Sequence, residues 1–234
     1  MPILTWAGHW RVLMRGARIL PEVGSTISDK ASTSYTRNER PLATKTNIVW
    51  FRQDLRLADN PALVAAAKGG AVLPVYVLDD ENAGEWAMGP ASRWWLHQSL
   101  SLLDQSLGGE LVVMTGDAVE LIPRLVKASG AMGVFWNDCY EPWRVRRDAE
   151  IKQALGAMDC HAESFNGALL WEPQQVLKSN QEPYKVFTPY YRNGCLNQTE
   201  PRRPLPVPEL KFSRNAGVDR TKVSDLNLIS PRGA

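Results

Sequence analysis

Cysteine and histidine are scarce in this chain. Cys139, Cys160 and Cys195 are the only cysteines, and no two of them form a CxxC pair. That set excludes a disulfide framework and a cysteine zinc site, and it makes a reducing, cytoplasmic compartment the default. His9, His97 and His161 are scattered, which argues against a histidine metal centre. No apolar run approaches the ~18 residues a membrane span requires. Several nucleotide and hydrolase motifs are also missing. No GxGxxG follows the first strand-like run, and there is no Walker A, GxSxG, SGGxDS or HIGH-like element. Standard dinucleotide sites, P-loop chemistry, hydrolase elbows, ATP pyrophosphatases and nucleotidylyl transferases are therefore disfavoured. No Ser, Cys or His pair is spaced as a nucleophile with its base.

The body of the chain also lacks an excess of positive charge. The formal net charge is +2, but residues 1–46 carry +4 and residues 47–234 carry −2. The body thus exerts no global pull on nucleic acid, and little DNA binding is expected from it. Residues 1–46 show no apolar periodicity that could offset ordering entropy, so they read as a mobile, dispensable extension. Their Arg-rich, Ser-rich, acid-poor start also resembles an organelle transit peptide, which would make the location organellar. A 44% apolar content excludes global disorder for the remainder.

Regular structure is expected from Asn47. Short apolar runs at Asn47–Phe51, Ala71–Leu78, Leu111–Met114 and Val134–Trp136, with His161–Phe165, read as strands. Between them lie helical patterns: Ala62–Lys68 behind the cap signal Asp59-Asn-Pro61, Gly89–Leu107, a stretch capped by Asp117, and Pro142–Met158. The alternation predicts an α/β fold, a five-stranded parallel sheet with helices on both faces. Pro74 suggests an edge position or an irregular start for its strand. Trp95 joins Leu96, Leu100, Leu103 and Leu107 in the apolar positions of the long helix, and Trp94 and Trp95 read as core or interface. Arg144, Arg146 and Arg147 read as a solvated helix face. The chain divides into the extension 1–46, an α/β domain 47–170, a closing segment 171–200 rich in Tyr and Phe, and a Pro-rich linker with a further start, 201–234.

Ligands of open α/β sheets bind beyond the carboxyl ends of the strands. Those ends hold Arg52, Gln53, Asp54 and Arg56, then Asp79 and Asp80, then Gly116 and Asp117, then Asn137 to Glu141. Arginine offers a fork for a carboxylate or phosphate, while Asn and Glu read a ring edge. Asp54 and Asp59 also read as braces of the first loop, and Asp117 as a helix cap.

Trp50-Phe-Arg-Gln-Asp-Leu-Arg-Leu-Ala-Asp-Asn-Pro-Ala-Leu63 closely resembles the opening signature of the DNA photolyase/cryptochrome family, WFRxDLRxxDNPAL. Gly89-Pro-Ala-Ser-Arg93, Trp136-Asn137, Tyr140-Glu-Pro142, Arg147-Asp148 and Pro183–Tyr190 agree in order and spacing. The resemblance covers roughly residues 47–212. It implies the α/β half of a two-domain flavoprotein. That half holds an antenna chromophore, a folate (methenyltetrahydrofolate) or a deazaflavin, which passes light energy to FAD. The FAD then splits cyclobutane pyrimidine dimers in damaged DNA. The FAD segment and tryptophan chain of the family have no counterpart here, so no catalytic residue carries over, FAD is not expected to bind this chain, and the chain reads as truncated. Arg93 matches a chromophore contact, and Asn137 and Glu141 lie in the matching loop. With Arg52 and Asp79 they form the candidate cofactor site. Cys139 stands where deazaflavin-binding relatives place an acid, and Trp143-Arg144 where folate-binding relatives place Asn-Glu. A light-signalling cryptochrome and a free-standing α/β ligand-binding module are the alternative readings. No membrane partner is expected. An uncovered interdomain surface at Tyr184–Tyr191, with Trp94 and Trp171, is expected to self-associate.

Overall fold

Five parallel strands form one sheet in the order β3-β2-β1-β4-β5: β1 (Thr46–Phe51), β2 (Ala71–Leu78), β3 (Val112–Thr115), β4 (Gly133–Asn137) and β5 (His161–Phe165). The computed structural model describes residues 45–213 and 221–229. The expected extension therefore lies, but for Lys45 and Thr46, outside the described residues. The alternating expectation holds: α1 (Pro61–Gly69), α2 (Pro90–Ser106), α3 (Ala118–Ser129) and α4 (Pro142–Gly156) each join one strand to the next. Helix boundaries follow the local chemistry. Asn60 caps α1 by accepting the Leu63 N–H at 3.1 Å, with Pro61 in its first turn. Asp117 caps α3 through Val119 N–H, and Gly130 ends that helix in the left-handed region at φ 64°. At Gly70 any side chain would strike the Lys45 carbonyl.

Both faces of the sheet are buried, so the inner strands are apolar on both sides. Val49, Phe51, Val72 and Tyr76 meet α1 and α2 through Leu63, Leu96, Leu100 and Leu103. Ile48, Trp50, Leu73 and Val75 meet α3 and α4 through Ile122, Leu125, Ile151 and Leu155. The chain steps from β1 to β3 in one direction, then crosses back to lay β4 on the other side of β1. The switch in strand order therefore falls between β1 and β4.

Two expectations are corrected. Pro74 is not at an edge: β2 lies inside the sheet, with Pro74 in register with Val49 of β1. Val72 exchanges bonds on the other side with Lys211 and Ser213, and β3 begins to pair only at Val75. Pro74 has the same parity as Val72, so its missing N–H falls in the gap between these two neighbours, where no ladder bond is lost. Trp95 is not core: it is 68% exposed, whereas Leu96, Leu100, Leu103 and Leu107 are buried. Trp95 lies one residue, and thus about 100° of helix, from that leucine seam.

The Pro-rich stretch is extended and seated on the domain. Asp59 N–H donates to the Leu205 carbonyl at 2.8 Å, and Val72 N–H to that of Lys211 at 2.7 Å. Farther on, Thr221 bridges Val113 of β3, and Val223, Leu226 and Leu228 join the α2-side core. In the closing segment Val186, Phe187, Tyr191 and Leu196 are exposed, and the Phe187 and Tyr191 rings stack at 5.8 Å. Trp171, expected there too, donates its indole N–H to the Thr199 carbonyl at 2.9 Å.

Because Leu226 is buried against the sheet domain, Leu226→Ala should cost about 2–4 kcal/mol of stability, the range for a truncated core leucine. Urea denaturation of the full chain measures it. A loss below about 0.5 kcal/mol, the level of a neutral surface change, would mean that this segment is not core.

Candidate binding cleft

Where β1 ends, the chain enters a loop tied down by its own polar side chains. The Asp54 carboxylate accepts the Arg52 backbone N–H at 2.9 Å and the Asn60 amide at 3.3 Å. Asn137, at the end of β4, donates to Asp54 and, at 2.8 Å, to Asn60 Oδ1, while its own Oδ1 accepts the Ala62 N–H at 3.3 Å. Asn137 is only 3% exposed. Its amide is wholly engaged in bracing the loop to β4, so the structure turns it away from the ring-reading role expected for it. The expected bracing role of Asp54 is seen directly.

Beneath the loop lies a buried ion cluster. Arg52 Nη1 meets Asp148 at 2.5 Å, and its Nη2 donates to the Asn137 carbonyl. Arg147 bridges Asp148 at 3.0 Å and Asp79 at 3.1 Å. The four side chains are each 10% exposed or less. The guanidinium groups of Arg52 and Arg147 lie 5.0 and 4.7 Å from the Trp50 ring, and Arg147 also lies 5.0 Å from Trp143. Arg147 is thus buried structure, not the solvated position expected; it is drawn inward because Asp79 and Asp148 face it from two elements.

Above the cluster opens a cleft of about 990 Å³, between the carboxyl ends of β1 and β2 and the first turns of α2 and α4. Trp50, Tyr76, Trp86, Trp95 and Trp143 supply aromatic surface, and Arg52, Arg56, Arg144, Arg146 and Arg147 supply cations. The acids that touch it, Asp79 and Glu141, each have an arginine beside them, Arg147 and Arg144. Arg146 has no carboxylate partner among the described residues, and Arg56 donates to the Asp59 and Gly167 carbonyls. The cleft therefore carries a positive balance toward whatever enters it. The indole N–H of Trp50 and the Nε–H of Arg52, both fully buried, have no acceptor among the described residues. Burial pushes the Tyr76 phenol far above its ordinary range, so it stays neutral. At Glu141, burial opposes the charge, but its own backbone N–H, Arg144, the Gln53 amide and Arg52 outweigh it and hold the carboxyl below its usual value.

Of the candidates read from sequence, Arg52, Asp79 and Glu141 line one cleft. Arg93 is not among the lining residues: it pairs with Asp80 and donates to the carbonyl of Met88, which does line the cleft, at 3.1 Å. Asn137 instead borders a separate hollow of about 70 Å³ with Gln53, Arg56 and Cys139. Sequence reasoning missed Trp86, Trp95 and Trp143 as cleft walls, because an exposed tryptophan on a helix carries the same letter as a buried one. Among the described residues, no His, Cys, Asp and Glu cluster is placed to hold a metal, and no helix is long and apolar enough to cross a membrane.

The sequence matches the DNA photolyase family model over residues 47–209. It is 39% identical to the deoxyribodipyrimidine photo-lyase of Agrobacterium fabrum, over 80% of this chain and 39% of that protein. It is 39% identical to Cryptochrome-2 of Arabidopsis thaliana, over 70% of this chain and 27% of that protein. Among solved structures, a bacterial class III photolyase from Agrobacterium tumefaciens superposes with a TM-score of 0.75 and 36% identity, covering 85% of this chain and 41% of that one. The chain thus spans two fifths or less of the length of these curated relatives.

Removing one partner from the buried cluster leaves cations unpaired. Asp148→Ala should therefore cost about 3–5 kcal/mol, read by denaturant unfolding, against less than about 1 kcal/mol for an exposed pair. A cost at the lower figure would show that water reaches the cluster. Glu141 gives a pH prediction. Its folded pKa is depressed, so its stabilising share is present above the ordinary carboxylate pKa and lost as pH falls through the lowered value. Arg144→Met should move that loss to higher pH, measured by NMR titration of the Glu141 carboxyl; an unchanged titration would exclude Arg144 as a cause.

Proposed function

The chain belongs to the DNA photolyase family, and from that premise we propose that its cleft holds the light-harvesting cofactor of a deoxyribodipyrimidine photo-lyase. The observation that carries this reading is the joint aromatic and cationic lining of a cleft at the carboxyl ends of β1 and β2. Its volume of about 990 Å³ suits an organic cofactor, at the upper end of the ~300–1,000 Å³ of ligand pockets. A methenyltetrahydrofolate or a deazaflavin joins a flat conjugated ring to an acidic portion. The tryptophans offer faces for such a ring, and Arg146 and Arg56 offer charge for the acid. When bound, the group supplies absorption of light and transfer of its energy to FAD.

Arg52, Asp79 and Glu141 are assigned to the lining itself. Arg93, outside the lining, supports it by holding Asp80 and the carbonyl of the lining residue Met88, and Asn137 supports it by fixing the loop. FAD and damaged DNA are assigned to the remainder of the photolyase architecture, so the isolated chain is expected to repair no dimers. A cryptochrome is the second reading, favoured by the plant relative; light-dependent dimer repair by an intact protein separates the two. The compartment proposed is the cytoplasm, or an organelle if residues 1–46 serve as a transit peptide.

Titration of the chain with methenyltetrahydrofolate and with a deazaflavin, followed by fluorescence, tests the cleft. One of the two should bind at micromolar levels, FAD should not, and Arg146→Ala should weaken binding by about 1–2 kcal/mol as a charged contact is lost. Binding of neither ligand overturns the reading; unchanged affinity in Arg146→Ala relocates the acid. The exposed Phe187–Tyr191 face gives a further expectation, concentration-dependent self-association in sedimentation velocity. A monodisperse monomer at high concentration that binds no hydrophobic dye would show the face to be covered.

A further inference from the structure

Asp59 belongs to the signature of the first loop, yet it does not line the cleft and does not cap α1. Its backbone lies in the left-handed region at φ 50°, a conformation that Asp and Asn tolerate better than most residues. In that conformation two of its groups make three hydrogen bonds to the extended strap at Arg202–Leu205. Its backbone N–H donates to the Leu205 carbonyl at 2.8 Å, and its carboxylate accepts the Leu205 N–H at 3.1 Å and the Arg202 guanidinium. Its remaining polar group, the carbonyl, accepts from Arg56 Nη2 at 2.9 Å. The same Arg56 guanidinium lines the cleft and holds the Gly167 carbonyl at 2.5 Å. One residue is thus bonded on one side to the strap and on the other to a cleft cation.

We propose that Asp59 is a clasp that couples the strap at 202–205 to the cleft loop at 52–57, so that release of one loosens the other. The physical basis is that Asp59 holds its left-handed backbone only while both sets of bonds hold it. When the strap leaves, Asp59 is free to relax to an ordinary conformation, and its carbonyl turns from Arg56. The Arg56 guanidinium then loses one of its two fixed acceptors and gains freedom in the cleft. Coupling of this kind is reciprocal: an anion that draws Arg56 into the cleft loosens the strap to the same degree that loss of the strap changes anion affinity. Two cations face the Asp59 carboxylate, Arg202 from the strap and Arg56 from its own loop, and the Arg202 hydrogen bond is the largest cause of its lowered pKa. The clasp is therefore intact above the ordinary carboxylate pKa and lost as pH falls through the lowered value.

Hydrogen exchange on the full chain tests this without any ligand. Asp59→Asn keeps a residue suited to the left-handed region and removes the charge; Arg202→Met leaves Asp59 in place and removes its partner. Both should speed exchange at the hydrogen-bonded amides of Leu205 and residue 59 by about three- to tenfold, the scale of a partly exposed charged contact. They should also speed exchange at the Arg56 amide, which donates to the Asp54 carbonyl within the cleft loop, while Ile122 and Leu125 in α3 report an unchanged fold. Protection of Leu205, corrected for intrinsic rate, should fall on acidification in the parent chain and stay level in Asp59→Asn. Two results overturn the proposal. One is strap protection unchanged in both variants. The other is a faster strap with an unchanged loop, which would make Asp59 an anchor and nothing more.

Discussion

The interaction on which the site depends is the pairing of Arg52 and Arg147 with Asp79 and Asp148. These groups come from the end of β1, the end of β2 and the second turn of α4: Arg52–Asp148 ties β1 to α4, Arg147–Asp79 ties β2 to α4, and Arg147–Asp148, between neighbours on α4, links the two bridges. Such a cluster gains little net stability, because desolvation of four charges offsets much of the Coulomb attraction. What it gains is specificity of placement. A cation displaced from its carboxylate here leaves a nearly buried charge without its counter-ion, so the paired arrangement is strongly favoured over a displaced one. Trp50 and Trp143 are fixed by it in turn, since their ring faces lie against the same guanidinium groups.

That placement separates two kinds of residue around the cleft. Those that form its floor are paired, buried and committed: Arg52, Asp79, Arg147, and behind them Asn137 and Asp54. Those along its rim, Trp86, Trp95 and Arg146, sit on the surface of a short turn or of the second turns of α2 and α4 and have few internal obligations. The first group sets the shape of the cleft. The second presents aromatic faces and charge, and it is where a change of side chain alters what enters without disturbing the fold.

The sheet and its helices were legible because their signals are local. Buried parallel strands read as apolar runs, and caps such as Asn60 and Asp117 act within three residues of themselves. Pro74 misled because its tolerance depends on a gap between Phe212 and β3, a neighbour over a hundred residues away. Arg147 misled for the same reason: a run of arginines on a helix reads as solvated unless the acids that bury it, one of them on β2, are known. Asn137 was placed correctly at a strand end, but the partners that consume its amide lie in the first loop. Each departure concerns a polar group whose fate is decided by distant partners, whereas apolar periodicity reports on its own helix or strand.

The first loop shows how these levels meet. In Trp50–Leu63, Phe51 and Leu63 are core, and Trp50 is held between arginines. Arg52 completes the buried cluster, Asp54 ties the loop to Asn60 and Asn137, and Asn60 caps α1. Almost every polar atom of the stretch is spent on internal bonds, and only Gln53, Leu55 and Arg56 join Trp50 and Arg52 in touching the cleft. A motif of this kind specifies a loop geometry more than a ligand. That is why it identifies the family so readily, and why selectivity for a ligand has to be sought in the exposed residues of α2 and α4 that face the loop from across the cleft.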